Sequence, residues 1–506
     1  MKKTAVLLIT ITLISKIFGF GRELTLAYFY GSSSVSDAYL ISLTIPGTIF
    51  VFIATSLATT YIPMYTEIKN KKTKKEADYF TNQLIVLVII IATLLITLVY
   101  FKTEFFVRIF ASGFSNDTLE LAVNFTKISV LGIFFTGISI ILTNYLQINN
   151  FFVATAIISI PYNLSIILFI ILSSSVSLSL LPMGIVISML IELIIVCGLA
   201  YRKSFIISIK VKFDENIRKI FYLSLPVIMG TSINQINTLV DRTMASQITA
   251  GGISALNYGN RVIFLIQGVL ITTISMLIYP KISKMVVNGE FRKLKEQIYK
   301  VSFLLSYMLI PITVFLLFFS KEITSFLFER GAFDKEALIL TSTVIFFYSI
   351  GILAMGYREV LSKVFYSLKD TKTPAINASI GLILNIAMNL TLAKYIGIGG
   401  LALSTSLSAI ITSLLLIGNL RKKIGGLNLK KLLLVNLKIS SASFFSIILS
   451  RIAFDLMILH ISETLSIFIT ICISLVIYLL FSFALKIKEL NIFLIEIKKY
   501  IKKIKK

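Results

Sequence analysis

Residues 79–101 read YFTNQLIVLVIIIATLLITLVYF, a run of 23 residues without a single charge. As an α-helix rising about 1.5 Å per residue it is about 35 Å long, enough to cross a hydrocarbon core of about 30 Å. It leaves directly from a basic segment, KNKKTKKEAD at 69–78. Outward from this stretch the same pattern recurs along the whole chain. Apolar runs suited to crossing a bilayer fall at 5–30, 36–63, 79–101, 122–148, 152–174, 179–202, 216–246, 252–280, 299–320, 338–366, 374–396, 398–420, 431–455 and 464–486. The expectation is an all-α polytopic membrane protein with about 14 transmembrane helices. Composition agrees: 57% of the 506 residues are hydrophobic and 14% are charged, whereas soluble domains carry about a quarter charged residues. Mean hydropathy is +0.92.

A net charge of +25 would suit nucleic-acid binding if the cations were gathered on one domain. They are instead dealt to alternate loops. Lys69–Lys75, Arg202–Lys219, Lys281–Lys300, Lys369–Lys372 and Arg421–Lys431 follow even-numbered spans, and the tail after Lys486 is basic too. Loops after odd-numbered spans, such as Ser32–Ser36 and Lys321–Glu336, are neutral or mixed. Retention of Lys and Arg on the cytoplasmic side then places both termini in the cytoplasm, and no nucleic-acid partner is expected. Cys197 and Cys472 both sit in apolar runs, so no disulfide framework is indicated. With His460 as the one histidine, histidine-based acid–base or metal chemistry has almost no material. The apolar N-terminus continues past Lys16 and Arg22 without a small-residue cleavage site and reads as the first span, not as a signal peptide.

The chain repeats itself with a period of about 220 residues, as parallel-repeat transporters do. Arg22 precedes Asp37 by fifteen positions, and Arg242 precedes Asn257 by fifteen. The second span of each half ends in proline, at Ile62-Pro63 and Tyr279-Pro280. Tyr145 and Asn163 are matched by Tyr366 and Asn385 at nearly the same spacing. Six helices per repeat keep both halves in one orientation, giving two pseudo-symmetric six-helix lobes, 1–202 and 203–420. Residues 421–506 add spans 13 and 14 and a basic cytoplasmic tail.

Several motifs in this frame resemble one family. SKIFGFGRE at Ser15–Glu23 and Ser36-Asp37-Ala38-Tyr39 are similar to the opening of the MurJ/MviN family. LVDRTMAS at Leu239–Ser246, ISALNYGNR at Ile253–Arg261, LFERGAFD at Leu327–Asp334 and FYSLKDTKTP at Phe365–Pro374 match further along. The family consists of lipid II flippases within the multidrug/oligosaccharidyl-lipid/polysaccharide exporter superfamily. The resemblance implies transport of an undecaprenyl-pyrophosphate-linked peptidoglycan precursor from the inner to the outer leaflet of the bacterial cytoplasmic membrane, by alternating access and for cell-wall synthesis. The implied partners are lipid II and membrane lipid, and the expected state is a monomer with no enzymatic activity. Another polyprenyl-linked glycan, or drug export coupled to a cation, are the alternative cargoes. The second span lacks the paired arginines that some family members carry, reading Pro46-Gly47-Thr48-Ile49-Phe50-Val51-Phe52.

A charge near the bilayer centre costs at least about 2.5–3.5 kcal/mol on insertion scales, so each should face a cavity or a partner. The resemblance assigns Lys16, Arg22 and Arg261 to the pyrophosphate, because they match cations lining the family's central cavity. Arginine grips phosphate with two parallel donors, which suits that role. The alternative for Arg22 is a lock with Glu23 or Asp37 between the first two spans. Asp37 and Glu23 are expected to gate the cavity by pairing with its arginines. In the second half, Asp241, Asn385, Asn389 and Thr405 offer hard oxygens, with Asn385 and Asn389 on one helix face. The resemblance adds the Leu401 backbone carbonyl and implies a sodium site. No cofactor is required, and Na+ is the one ion anticipated. The alternative reading pairs Asp241 with Arg242 and leaves the asparagines as bonds between helices. Arg451 and Asp455, four apart, are expected to form an ion pair.

Overall fold

In the computed structural model, which describes residues 2–208, 212 and 214–487, every regular element is helical among the described residues. The basic tail beyond 487 lies outside them. The chain forms two compact units, Met1–Arg261 with Arg330–Ala337, and Val262–Glu329 with Leu338–Lys506.

The first unit holds α1 (Lys2–Tyr30), α2 (Ser34–Lys71), α3 (Lys74–Phe101), α4 (Thr103–Phe110), α5 (Asn116–Ser129), α6 (Gly132–Ile148), α7 (Phe152–Ile157), α8 (Ser159–Ser175), α9 (Leu180–Tyr201) and α10 (Glu215–Ile248). The division falls within α11 (Gly252–Ile266), which runs through a π-helical turn at Gln267–Ile271 into α12 (Thr272–Val287). The second unit continues with α13 (Phe291–Phe328), α14 (Lys335–Ser349), α15 (Ile352–Ser367), α16 (Lys372–Ile396), α17 (Ile398–Ile424), α18 (Leu429–Met457) and α19 (Glu463–Ala484).

Local chemistry sets the helix starts. Ser33, Thr73 and Ser115 accept from the third backbone N–H after them, at Ser36, Glu76 and Thr118, satisfying donors that the first helical turn leaves open. Nine helices are long and apolar enough to cross a membrane, or up to twelve if each of three bent pairs is one span, among the described residues. The first and seventh spans of the sequence reading correspond to α1 and α10, of 29 and 34 residues, both interrupted by charge.

The breaks carry the internal period. The pair α5–α6 bends by 44° at 130–131, and α14–α15 bends by 48° at 350–351, which is 220 residues later. In the first half α3 gives way to α4 after Phe101, and in the second α13 loses helical geometry at Phe319. Large apolar side chains such as Leu94, Ile194, Leu437 and Leu475 are exposed, as a lipid-facing surface requires. The inward faces are tied by small hydroxyls: Ser129 donates to the Ser42 carbonyl at 2.6 Å, Ser408 to Gly381 at 2.7 Å and Ser446 to Ser474 at 2.7 Å. Helices in lipid gain little from apolar burial against one another, so such bonds and close approach hold them together.

Candidate functional site: arginines gathered on Glu23

Arg22 and Glu23 lie mid-way along the charged half of α1, and Asn257 and Arg261 lie one turn apart on α11. Positions i and i+4 share a face, so α11 presents an amide and a guanidinium together. Glu23 meets all three groups. Its Oε1 accepts from Arg22 Nη2 at 2.6 Å and lies 3.4 Å from Arg261 Nε, while Oε2 accepts from Asn257 Nδ2 at 2.8 Å. The Glu23 side chain is 2% exposed and that of Arg22 14%, but Arg261 is 43% exposed. One carboxylate therefore holds two cations, and the outer of the two keeps donors exposed. Such a cluster can receive an anion without first breaking a strong pair, because Arg261 is held by one long contact.

Above this cluster, toward the start of α2, Asp37 is buried. Its Oδ1 accepts from the Ser254 amide and hydroxyl, both at 2.7 Å, and its Oδ2 from the Gly251 amide at 2.9 Å. The sequence reading expected Asp37 to pair with an arginine. The structure instead seats it on the N-terminus of α11, where exposed N–H groups and the helix dipole favour an anion. A helix end that needs several acceptors outcompetes a single guanidinium.

The turns around Asp37 interlock. Gly31 and Gly251, 220 residues apart, both have positive φ, 59° and 77°. A Cβ on Gly31 would strike the Ala332 carbonyl oxygen, and one on Gly251 the Ser32 carbonyl oxygen. Ser32 donates to the Gly251 carbonyl at 2.6 Å, Tyr258 to Gly31 at 2.9 Å, and the Ala332 amide to Tyr28 at 2.8 Å. Glycine is needed here for both its backbone conformation and its lack of a side chain. At these turns backbone packs directly against backbone.

Lys16 is half-buried in α1, six residues before Arg22. That is about 1.7 turns, which puts it off the face of Arg22, and it forms no ion pair among the described residues. Sequence reasoning missed Asn257 as a Glu23 partner and Ser254 as an Asp37 partner, although the repeat had already matched Asn257 with Asp37. Arg242 is in α10, in the same unit. Its Nη1 has no hydrogen-bond partner among the described residues, and Asp241 accepts from Asn237 Nδ2 at 3.2 Å.

In the second unit four expected sodium ligands form one chain of hydrogen bonds. Asn389 Nδ2 donates to Asn385 Oδ1 at 3.1 Å, Asn385 Nδ2 to Thr405 Oγ1 at 3.2 Å, and Thr405 Oγ1 to the Leu401 carbonyl at 3.1 Å. All are neutral. The donor set fits a singly charged hard cation better than a divalent one, and no cluster of three His, Cys, Asp or Glu occurs among the described residues. The fifth expected ligand, Asp241, belongs to the first unit.

A family profile described as Lipid II flippase MurJ matches residues 26–486. The probable lipid II flippase MurJ of Buchnera aphidicola subsp. Baizongia pistaciae is 30% identical over 424 residues, covering 82% of this chain and 82% of that one. The corresponding protein of Rickettsia prowazekii is 26% identical over 420 residues, covering 80% and 81%. A solved lipid II flippase MurJ in an inward closed conformation aligns with a TM-score of 0.81 at 27% identity, over 94% of this chain and 98% of that one. An inward-facing multidrug resistance MATE family transporter of the MOP superfamily aligns with a TM-score of 0.68 at 12% identity, over 84% and 99%. That second likeness is one of fold alone.

Proposed function

The chain belongs to the MurJ family of lipid II flippases, and from that premise we propose that it carries lipid II from the inner to the outer leaflet of the bacterial cytoplasmic membrane. The observation that carries this reading is the gathering of Arg22 and Arg261 on the buried carboxylate of Glu23. Two guanidiniums inside a membrane-spanning bundle are costly unless an anion uses them, and a pyrophosphate linked to a polyprenol is such an anion. Arg261, the more exposed cation, meets the headgroup first, and Glu23 then shares its hold on Arg22 with the incoming phosphate oxygens. The asparagine of α11 keeps Glu23 oriented while this exchange takes place. Release reverses it, with the carboxylate recapturing both cations.

The transport cycle we propose is alternating access, with the apolar polyprenyl tail remaining in lipid. The Asp37 cap on α11 acts as the latch of the closed end, since it ties α2 to α11 through a charge-assisted set of bonds. The protein is proposed to work as a monomer, with both termini in the cytoplasm and no catalytic step of its own. Sodium is proposed at the oxygens of Asn385, Asn389, Thr405 and Leu401, where its gradient would supply a driving force. Membrane potential, at about 2.3 kcal/mol per charge per 100 mV, is the other available source.

The reading is tested in cells depleted of their own lipid II flippase. Expression of this chain should restore exposure of the lipid II headgroup at the outer leaflet, and Arg22→Ala at matched abundance should not. Failure of a correctly inserted wild-type protein to restore exposure would remove lipid II as the cargo.

A further inference from the structure

The cluster on Glu23 leaves one arginine of the same unit unanswered. Arg242 lies in α10, 220 residues after Arg22, at the period of the internal repeat. Arg22 is followed by Glu23, but Arg242 is followed by Thr243, whose hydroxyl donates to the carbonyls of Ile109 at 2.8 Å and Leu239 at 2.9 Å. The first arginine thus has a carboxylate bonded to it at 2.6 Å, while the Nη1 of its repeat mate has no such bond among the described residues. The Nη1 of Arg242 is shut off from solvent and has no hydrogen-bond partner among the described residues.

Arg261, Glu23, Asp37 and Asp241 are the charged groups that act electrostatically on Arg242. None of the three acids is spare. Glu23 serves Arg22, Arg261 and Asn257. Asp37 serves the α11 N-terminus, and Asp241 accepts from Asn237. A guanidinium cannot shed its proton to escape burial, so an orphaned donor there carries a standing desolvation cost. A second orphan lies near the same carboxylate, Glu23. Tyr39 is 1% exposed, its hydroxyl has no hydrogen-bond partner among the described residues, and the charged groups acting on it are Arg22 and Glu23. Two shut-off donors without acceptors among the described residues, near one carboxylate already in use, are the complement of a ligand rich in acceptor oxygens.

We propose that Arg242 is a further anion-binding residue of this site, taking a phosphate oxygen of the pyrophosphate headgroup, with the Tyr39 hydroxyl donating to the same group. This rests on the lipid II reading and adds to it the residue that the repeat left uncompensated. Thr243 matters as much as Arg242: an acid there would rebuild the Arg22–Glu23 arrangement and silence the cation.

The test uses the full-length chain in lipid nanodiscs with undecaprenyl pyrophosphate as probe and undecaprenol as the control without an anion. Arg242→Gln is expected to weaken pyrophosphate binding by about tenfold or more, as loss of a charge-assisted bond should. Arg242→Lys should fall between, and Tyr39→Phe should weaken binding severalfold. Thr243→Glu should match Arg242→Gln with the arginine still present. Undecaprenol binding should not change in any of them. Without ligand, Arg242→Gln should unfold no earlier than the wild type, because it removes a guanidinium whose shut-off Nη1 has no acceptor among the described residues. Wild-type affinity in Arg242→Gln, with affinity lost in Arg22→Gln, overturns the role of Arg242 and leaves the cargo assignment standing. Earlier unfolding of ligand-free Arg242→Gln also overturns it, by showing a structural partner. A wild type that binds the pyrophosphate no better than undecaprenol overturns the cargo assignment along with it.

Discussion

Replacing Glu23 with Gln keeps the shape of the side chain and deletes its charge. At an effective dielectric of about 20, the contacts at 2.6 and 3.4 Å correspond to gross attractions of about 6 and 5 kcal/mol. Most of this offsets the cost of taking the ions out of water, and removing one partner of a buried pair typically costs about 3–5 kcal/mol. Arg261 is 43% exposed, so water replaces much of what Glu23 gives it, while Arg22, 14% exposed, has less recourse. The expected loss is therefore at the lower end, about 3 kcal/mol. Equilibrium unfolding in mixed micelles reads it, with Arg22→Gln alone and the double variant completing a cycle. The double variant should recover part of the loss, giving a coupling of about 1–3 kcal/mol. A Glu23→Gln protein as stable as the wild type, or a cycle that is simply additive, would refute the idea that this carboxylate holds the cluster.

Asp37→Asn should cost about 1–2 kcal/mol by weakening the cap on α11, seen as faster hydrogen exchange at the Gly251 and Ser254 amides. Asp370, outside the spans, is bonded to Lys423 Nζ at 2.6 Å and to the Thr373 amide and hydroxyl; with the Lys423 bond the largest cause, its pKa is held down at about 2 against an ordinary 3.8. Because the folded-state pKa lies below the unfolded one, the stability difference between wild type and Asp370→Asn should be full above 3.8 and shrink as pH falls toward 2; a difference that grows on acidification contradicts this. Arg451→Ala should loosen α18 from α13, since Arg451 pairs with Glu322 at 2.6 Å and Asp455 at 3.1 Å and lies over Phe319 and Phe454; Arg451→Lys should restore only part of the loss in unfolding midpoint, because a point charge lacks the planar fork. Asn385→Ala should raise the sodium concentration needed for half-maximal transport, and wild-type transport indifferent to sodium would remove sodium from the account.

The fold was legible because lipid imposes few solutions. Uncharged runs such as 79–101 must be helices, and the 220-residue period read from Arg22, Asp37, Arg242 and Asn257 reappears in the backbone at Gly31 and Gly251 and at the bends near 130 and 350. The bends themselves were not legible. The stretches 122–148 and 338–366 read as single apolar runs, and nothing in their hydropathy signals a change of direction at Leu131 or Gly351. At the site, the residue types were legible and their pairings were not. A charge in a span announces that it has a partner without saying which. Asp37 looked like a mate for arginine because composition shows side chains and hides helix ends, and its true partners are largely backbone amides. Arg451 was matched with Asp455 from spacing alone, but Glu322, 129 residues away in sequence, supplies the shorter contact. Arg242 drew no assignment of its own because an adjacent acid, Asp241, offered a plausible mate.

The central claim is that this chain moves a polyprenyl pyrophosphate headgroup across the bilayer by means of its arginine cluster. Purified protein in liposomes loaded with fluorescent lipid II, scored by the fraction of headgroup that an externally added quencher can reach over time, tests it most directly. The account predicts rapid transfer by the wild type, loss of transfer in Arg22→Gln and Arg261→Gln, and no transfer of a neutral lipid carrying the same label. Transfer that survives removal of both arginines, or that extends to the neutral lipid, would contradict it.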